Sequence, residues 1–90
     1  MNKVRRKSLN ELMERIGNVQ SEIAEILGEL DSLREEEEEY RDNMPENFQS
    51  SEKYERAGEA IDSLDTAYDA LEAADSDLTE ASDAIEEAIQ

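Results

Sequence analysis

Histidine, cysteine and tryptophan are absent from this chain of 90 residues, and phenylalanine occurs once. Without histidine no side chain exchanges a proton readily near neutral pH, and without histidine and cysteine the commonest zinc ligands are missing. The lack of cysteine also excludes a disulfide framework and a thiolate nucleophile, so redox chemistry says nothing about the compartment. There is no long apolar run of the kind that spans a bilayer. The basic opening, Met1 to Lys7, has no apolar stretch behind it and does not read as a secretory signal. Positive charge is scarce: nine basic residues stand against 26 acidic ones, a net charge of −17. Anionic lipid and nucleic acid both repel such a chain, so neither a membrane nor direct nucleic-acid binding is expected. The expectation is a soluble, cytoplasmic protein without cofactor or metal.

High charge and few aromatics taken alone would indicate disorder. A regular apolar pattern overrules that reading. Leu9, Leu12, Ile16, Val19, Ile23, Ile26, Leu30 and Leu33 alternate spacings of three and four. Tyr54, Ala57, Ile61, Leu64, Tyr68, Leu71, Leu78, Ile85 and Ile89 repeat the pattern, which misses only at Asp75 and Ser82. Lettered as heptads, Leu9, Ile16, Ile23 and Leu30 are a positions; Leu12, Val19, Ile26 and Leu33 are d positions, with Tyr40 next in that row. Such a seam stays straight only along a helix that winds around a partner. Met13 and Leu27 widen the stripe at e, while every g position of the second half is alanine: Ala60, Ala67, Ala74, Ala81 and Ala88. The apolar face is wider than a two-stranded zipper needs and suits a bundle. Gly17 and Gly28 fall on the outer face.

The spacing predicts helix 1 over about residues 8–41, with Ser8 and Glu11 forming a Ser-x-x-Glu capping box. Pro45 ends it, since proline and the residue before it resist helical geometry. A connector over about residues 42–50 leads to helix 2 at about 51–89, capped by Ser50 or Ser51, with Glu52 near the positive end of the dipole. A start at Pro45 is the alternative. The connector is short, so the two helices fold back antiparallel as one all-α hairpin domain. Pairing Leu33 with Ile61 places Leu30 by Leu64, Ile26 by Tyr68, Ile23 by Leu71, Val19 by Asp75, Ile16 by Leu78 and Leu9 by Ile85. It also brings Lys3, Arg5, Arg6 and Lys7 near Asp83, Glu86 and Glu87. A lone hairpin has little apolar surface to set against the entropy of ordering its chain. A homodimer closing into a four-helix bundle is therefore expected; the alternatives are a monomer with an extra helical contact and a hairpin completed by another protein.

Catalysis is not expected. Paired carboxylates hydrolyse glycosides only in a cleft that raises one pKa, and a slender rod offers no obvious cleft. Di-iron bundles need a Glu-x-x-His motif, and an EF-hand needs a glycine-centred acidic loop, whereas Asp75-Ser76-Asp77 lies within a helix.

Four features have both a plain and a sharper reading. Asp75, in the seam, either reaches solvent or Arg15, or acts as a polar core residue that fixes register; Ser82 fits both. The run Glu35 to Glu39 is either a solvated segment or an anionic patch offered to a basic groove. The basic N-terminus, which in isolation suggests nucleic-acid binding, is better read as neutralising the acidic C-terminus. In the connector, Tyr40, Met44, Phe48 and Tyr54 either plug the bundle end or leave Met44 and Phe48 exposed as a partner anchor.

The segment Tyr40-Arg41-Asp42-Asn43-Met44-Pro45-Glu46-Asn47-Phe48-Gln49-Ser50-Ser51-Glu52-Lys53-Tyr54-Glu55 resembles the central segment of short acidic coiled-coil proteins found in Firmicutes and their phages and mobile elements. Outside this segment the likeness is only an acidic heptad style that unrelated helices share. The resemblance implies a small accessory protein of mobile-element origin. Anti-CRISPR and other host-takeover proteins come from such small acidic phage proteins, so it also raises an anti-CRISPR-like role.

Two functions follow. In the first, the chain is an acidic decoy that occludes the basic nucleic-acid-binding surface of a partner such as a nuclease or a transcription factor. A helix of ~35 residues is roughly 52 Å long, so the carboxylates number about one per 2 Å, near the ~1.7 Å charge spacing of duplex DNA. Its binding face would comprise Glu35, Glu36, Glu38, Glu39, Glu59, Asp62, Asp65, Asp69, Glu72, Asp77, Glu80 and Asp83; after Arg56 no basic residue occurs. In the second, the chain is a structural or assembly module whose acidity keeps a helical oligomer soluble, acting through its seam or through Met44 and Phe48. The decoy accounts for both the single-sign second helix and the resemblance and is the leading expectation; the module is the alternative.

Overall fold

The chain folds as two long helices, α1 (Lys3–Asp42) and α2 (Glu52–Ile89), joined through a single 3₁₀ turn at Glu46–Phe48, with no strand. The computed structural model describes all 90 residues. α1 begins five residues before the expected Ser8. Asn2, with extended backbone (φ −78°, ψ 164°), accepts a hydrogen bond on Oδ1 from the Arg5 amide at 2.7 Å, and so caps the helix. The basic residues that follow are strong helix formers, and their poor match to the positive end of the dipole costs only a few tenths of a kcal/mol each. Ser8 therefore lies inside the helix and is not its cap.

At the other end Pro45 stops α1 as expected. Its backbone (φ −58°, ψ 149°) turns the chain out of helical geometry, and its carbonyl then accepts from the Phe48 amide at 2.8 Å to build the 3₁₀ turn. Of the two candidate caps for α2, Ser51 takes the role: its hydroxyl accepts from the Tyr54 amide at 3.3 Å, with Glu52 and Glu55 in the first turn. The alternative start of helix 2 at Pro45 is not taken.

The molecule is a rod of 70 × 15 × 13 Å. Its radius of gyration is 20.3 Å, against about 12 Å for a compact domain of this length. Only Ile23, Ala57 and Ile61 are buried. The antiparallel hairpin is as expected, but α1 is rotated from its expected setting. Its half-buried and buried positions are Leu9, Met13, Ile16, Gln20, Ile23, Leu27, Leu30, Arg34, Glu37 and Arg41, the a and e rows, together with Glu38 near the tip. The expected a-row layers (Leu9 with Ile85, Ile16 with Leu78, Ile23 with Leu71, Leu30 with Leu64) involve residues that are all shielded. The d-row layers built on Val19, Ile26 and Leu33 are corrected: these side chains are exposed. α2 uses the expected seam, with Tyr54, Ala57, Ile61, Leu64, Tyr68, Leu71, Asp75, Leu78, Ser82, Ile85 and Ile89 all turned inward.

The cause is the width of the α1 stripe. Its d, a and e rows span about 100° of the helix surface, and one neighbouring helix covers only part of that arc. The e row wins because it carries two polar side chains that α2 can satisfy. Gln20 donates from Nε2 to the Thr79 hydroxyl at 2.8 Å and to the Asp75 carbonyl at 3.2 Å. The Arg34 guanidinium forks onto the Asp65 carboxylate through Nε and Nη2 and donates from Nη1 to Glu38 Oε2 at 2.5 Å.

Candidate interaction site

The two polar clasps, Gln20–Thr79 and Arg34–Asp65, each join an e position to an e position and so lie on one flank of the hairpin. Because the helices are both right-handed and run in opposite directions, the d row of α1 and the g row of α2 lie together on the other flank. That flank is apolar. It carries Leu12, Val19, Ile26, Leu33 and Tyr40, each between 38% and 56% exposed. Beside them runs the alanine row, of which Ala60 and Ala74 are half-buried and Ala67, Ala81 and Ala88 exposed. Towards the open end of the hairpin, Leu12, Ile16, Val19, Leu78 and Ile85 line a groove of about 510 Å³. Five side chains spaced by seven residues from Leu12 to Tyr40 run along about 42 Å of helix. Isolated exposed apolar residues are ordinary; a continuous row of this length marks an interaction surface.

The opposite flank and the back of α2 are acidic. Asp62, Asp69 and Asp83 lie in the b row, Asp65 and Glu72 in the e row, Glu59 and Glu80 in the f row and Asp77 in the c row. All but Asp65 are exposed. Asp65 is engaged by Arg34, which makes it part of the hairpin's own structure as well as of the proposed binding face. The other residues of this group form no ion pair. On α1, Glu35, Glu36 and Glu39 are exposed, whereas Glu38 is half-shielded by the same guanidinium. Hydrogen bonds donated by Arg34 to Asp65 first, then to Glu38, push its pKa further above its already high ordinary value and keep it charged. No group of three or more carboxylates is placed to hold a metal ion.

Asp75 is half-buried, and Arg15 does not pair with it. It is the Asp75 carbonyl that is used, accepting from Gln20 and from the Thr79 hydroxyl at 3.3 Å. The seam is therefore interrupted by a polar layer. Neither Gln20 nor Arg34 stood out in the apolar pattern, although both occupy the e row that Met13 and Leu27 had already marked as part of the stripe. None of the four ion pairs of the molecule joins the basic N-terminus to Asp83, Glu86 or Glu87.

At the tip, Tyr40, Met44, Pro45 and Phe48 surround a small depression of about 240 Å³ together with Ser51 and Lys53. Met44 is half-buried, while Phe48 and Tyr40 are 52% and 51% exposed. Phe48 thus neither plugs the tip completely nor stands clear of it. Tyr40 links this patch to the d row.

No helix is long and apolar enough to cross a membrane. No protein-family model, curated protein or solved structure matches the chain.

Proposed function

We propose that this chain is a non-enzymatic assembly module whose hairpin pairs with a second copy through its apolar flank to close a four-helix bundle. The observation that carries this reading is the unpartnered row Leu12, Val19, Ile26, Leu33 and Tyr40. It is supported by the excess of surface. The hairpin exposes 6778 Å², against about 5,300 Å² for a compact monomer of its mass. The difference is of the order that two copies remove when they form a stable interface. Alanines beside the row let a second hairpin approach closely, and one of its helices fills the arc that α2 leaves open. The test is sedimentation of the wild type and of the Val19→Ser, Ile26→Ser, Leu33→Ser triple variant. A salt-resistant wild-type dimer and a monomeric triple variant are expected. A monomeric wild type overturns the reading.

A second reading rests on a separate observation, the exposed and unpaired carboxylates on the back of α2. In this reading the same face acts as a decoy, binding the basic nucleic-acid-binding surface of a nuclease or transcription factor by competitive occlusion. It is consistent with the mobile-element resemblance of residues 40–55 and with an anti-CRISPR-like role. The bundle leaves this face outward, so the two readings concern different surfaces. Replacing Asp62, Asp69 and Glu72 by Asn or Gln removes charge and spares the Arg34–Asp65 clasp. Affinity capture from a Firmicutes lysate should recover a nucleic-acid-binding protein that elutes at high salt and is lost with this variant. Recovery unchanged by the variant overturns the decoy.

A further inference from the structure

The apolar flank admits two stackings of a second hairpin. With the two-fold axis along the rod, both tips lie at one end and α1 faces α2 of the second copy. With the axis across the rod, the tips lie at opposite ends and α1 runs antiparallel over α1 of the second copy. Both bury the same rows, so apolar area does not choose between them. Charge does.

Charge is distributed unevenly along the rod. Residues 1–20 of α1 hold five basic and two acidic residues, a net +3; residues 21–46 hold two basic and eleven acidic, a net −9. On the returning arm, residues 47–70 carry two basic and six acidic residues, a net −4, and residues 71–90 carry seven acidic and no basic ones, a net −7. The tip half of the hairpin thus has a net charge of −13 and the open half −4. Stacking with the tips together sets −13 against −13. Stacking with the tips apart sets −13 against −4 twice and lays the net-positive half of each α1 over the strongly acidic half of the other.

The d row independently fits the second arrangement. Its positions are symmetric about Ile26: in an antiparallel pair Leu12 meets Tyr40 of the second copy, Val19 meets Leu33, and Ile26 meets its own equivalent. In the same register Arg15, on the g side of the row, falls beside Glu36 and Glu37 of the second copy. Arg15 forms no ion pair within its own hairpin and lines the exposed groove beside Leu12 and Val19.

We infer that the hairpins associate with tips apart, α1 antiparallel on α1 across a two-fold axis at Ile26, with Arg15 of each copy set against the glutamate run of the other. This rests on the self-association proposed above. Arg15 and the N-terminal basic cluster then select the orientation, while the leucine and isoleucine row supplies the attraction.

The experiment has two readouts that separate this inference from the reading beneath it. The absence of native cysteine lets a single spin label be placed at Ser50, an exposed residue of the tip that lies outside the apolar row. Sedimentation first establishes whether the labelled protein is a dimer; a monomer sinks the self-association and this inference with it. In a dimer, dipolar spectroscopy should give a label separation of about 60–70 Å, close to the length of the rod. A separation near 25 Å places the tips together and overturns the orientation while leaving the assembly module intact. Arg15→Glu should weaken the dimer roughly fivefold at low salt, because each substitution counts twice in a two-fold interface. The same variant losing its effect at high salt is the expected result; an effect equal at both salts contradicts the electrostatic choice.

Discussion

Leu33→Ala measures how much of the apolar flank is covered in solution. In the isolated hairpin Leu33 is 56% exposed, so less than half of its side chain is removed from water by α2. Full burial of a leucine contributes about 2–3 kcal/mol, and the exposed fraction scales this to about 1 kcal/mol within one hairpin. Alanine's higher helix propensity recovers a few tenths. In a closed bundle the rest of the side chain is also covered, and truncation then costs about 2–4 kcal/mol per chain including the cavity. Leu30→Ala, in the a row already packed on α2, is the control, since its cost depends less on assembly. The assay is urea unfolding followed by far-ultraviolet circular dichroism at two protein concentrations a hundredfold apart. For a dimer, that range alone shifts wild-type stability by about 2.7 kcal/mol. A cost for Leu33→Ala well below that for Leu30→Ala, with a wild-type midpoint independent of concentration, refutes the assembly argument.

Three further outcomes follow from local features. Gly28→Ala should stabilise the protein by about 0.5–1 kcal/mol, because a methyl group there meets no atom within 4 Å and mid-helix glycine costs that much relative to alanine; a lower melting temperature would contradict the open outer face. Ser51→Ala should cost about 1 kcal/mol and speed hydrogen exchange at the Tyr54 amide, which loses its acceptor; unchanged exchange would show that the cap is unimportant. Arg34→Gln should lower the melting temperature more at low salt than at high salt, since it leaves Asp65 and Glu38 without their cation. The Arg34 pKa is raised on folding, so its contribution is fully present below its unfolded value and is lost only above it. A scan from about pH 7 to pH 10 should therefore leave the difference between wild type and variant unchanged.

The sequence exposed some levels of this structure better than others. The α2 seam, the stop at Pro45 and a serine cap at one of two adjacent positions rest on interactions a few residues apart, which the pattern displays directly; the structure chose Ser51. The start of α1 was missed because Asn2 and Ser8 are equally good cap residues, and the capping box at Ser8 and Glu11 drew the boundary inward. The rotation of α1 is a tertiary effect. Three apolar rows compete for one neighbour, and the winner is decided by Gln20 and Arg34 meeting Thr79 and Asp65, more than fifty and thirty residues away in the chain. The interior anomaly at Asp75 was visible, but its partner was not: a backbone carbonyl accepting from Gln20 has no signature in charge or hydropathy. The width of the stripe was legible too: its three rows exceed the arc that one neighbouring helix covers, and the d row is the one left exposed.

The hairpin topology also fixes how the molecule bears load. Lys3 and Ile89 lie at one end of the rod and Pro45 at the other. Tension applied through the two ends therefore peels the helices apart layer by layer, starting with Leu9 and Ile85, instead of shearing all layers at once. The Gln20–Thr79 bond breaks part-way along, the Arg34–Asp65 fork after it, and the contacts of the buried Ile61 and Ala57, nearest the closed tip, break last. A strand of chain attached at either end would feel a soft, extensible element with its firmest point deepest inside.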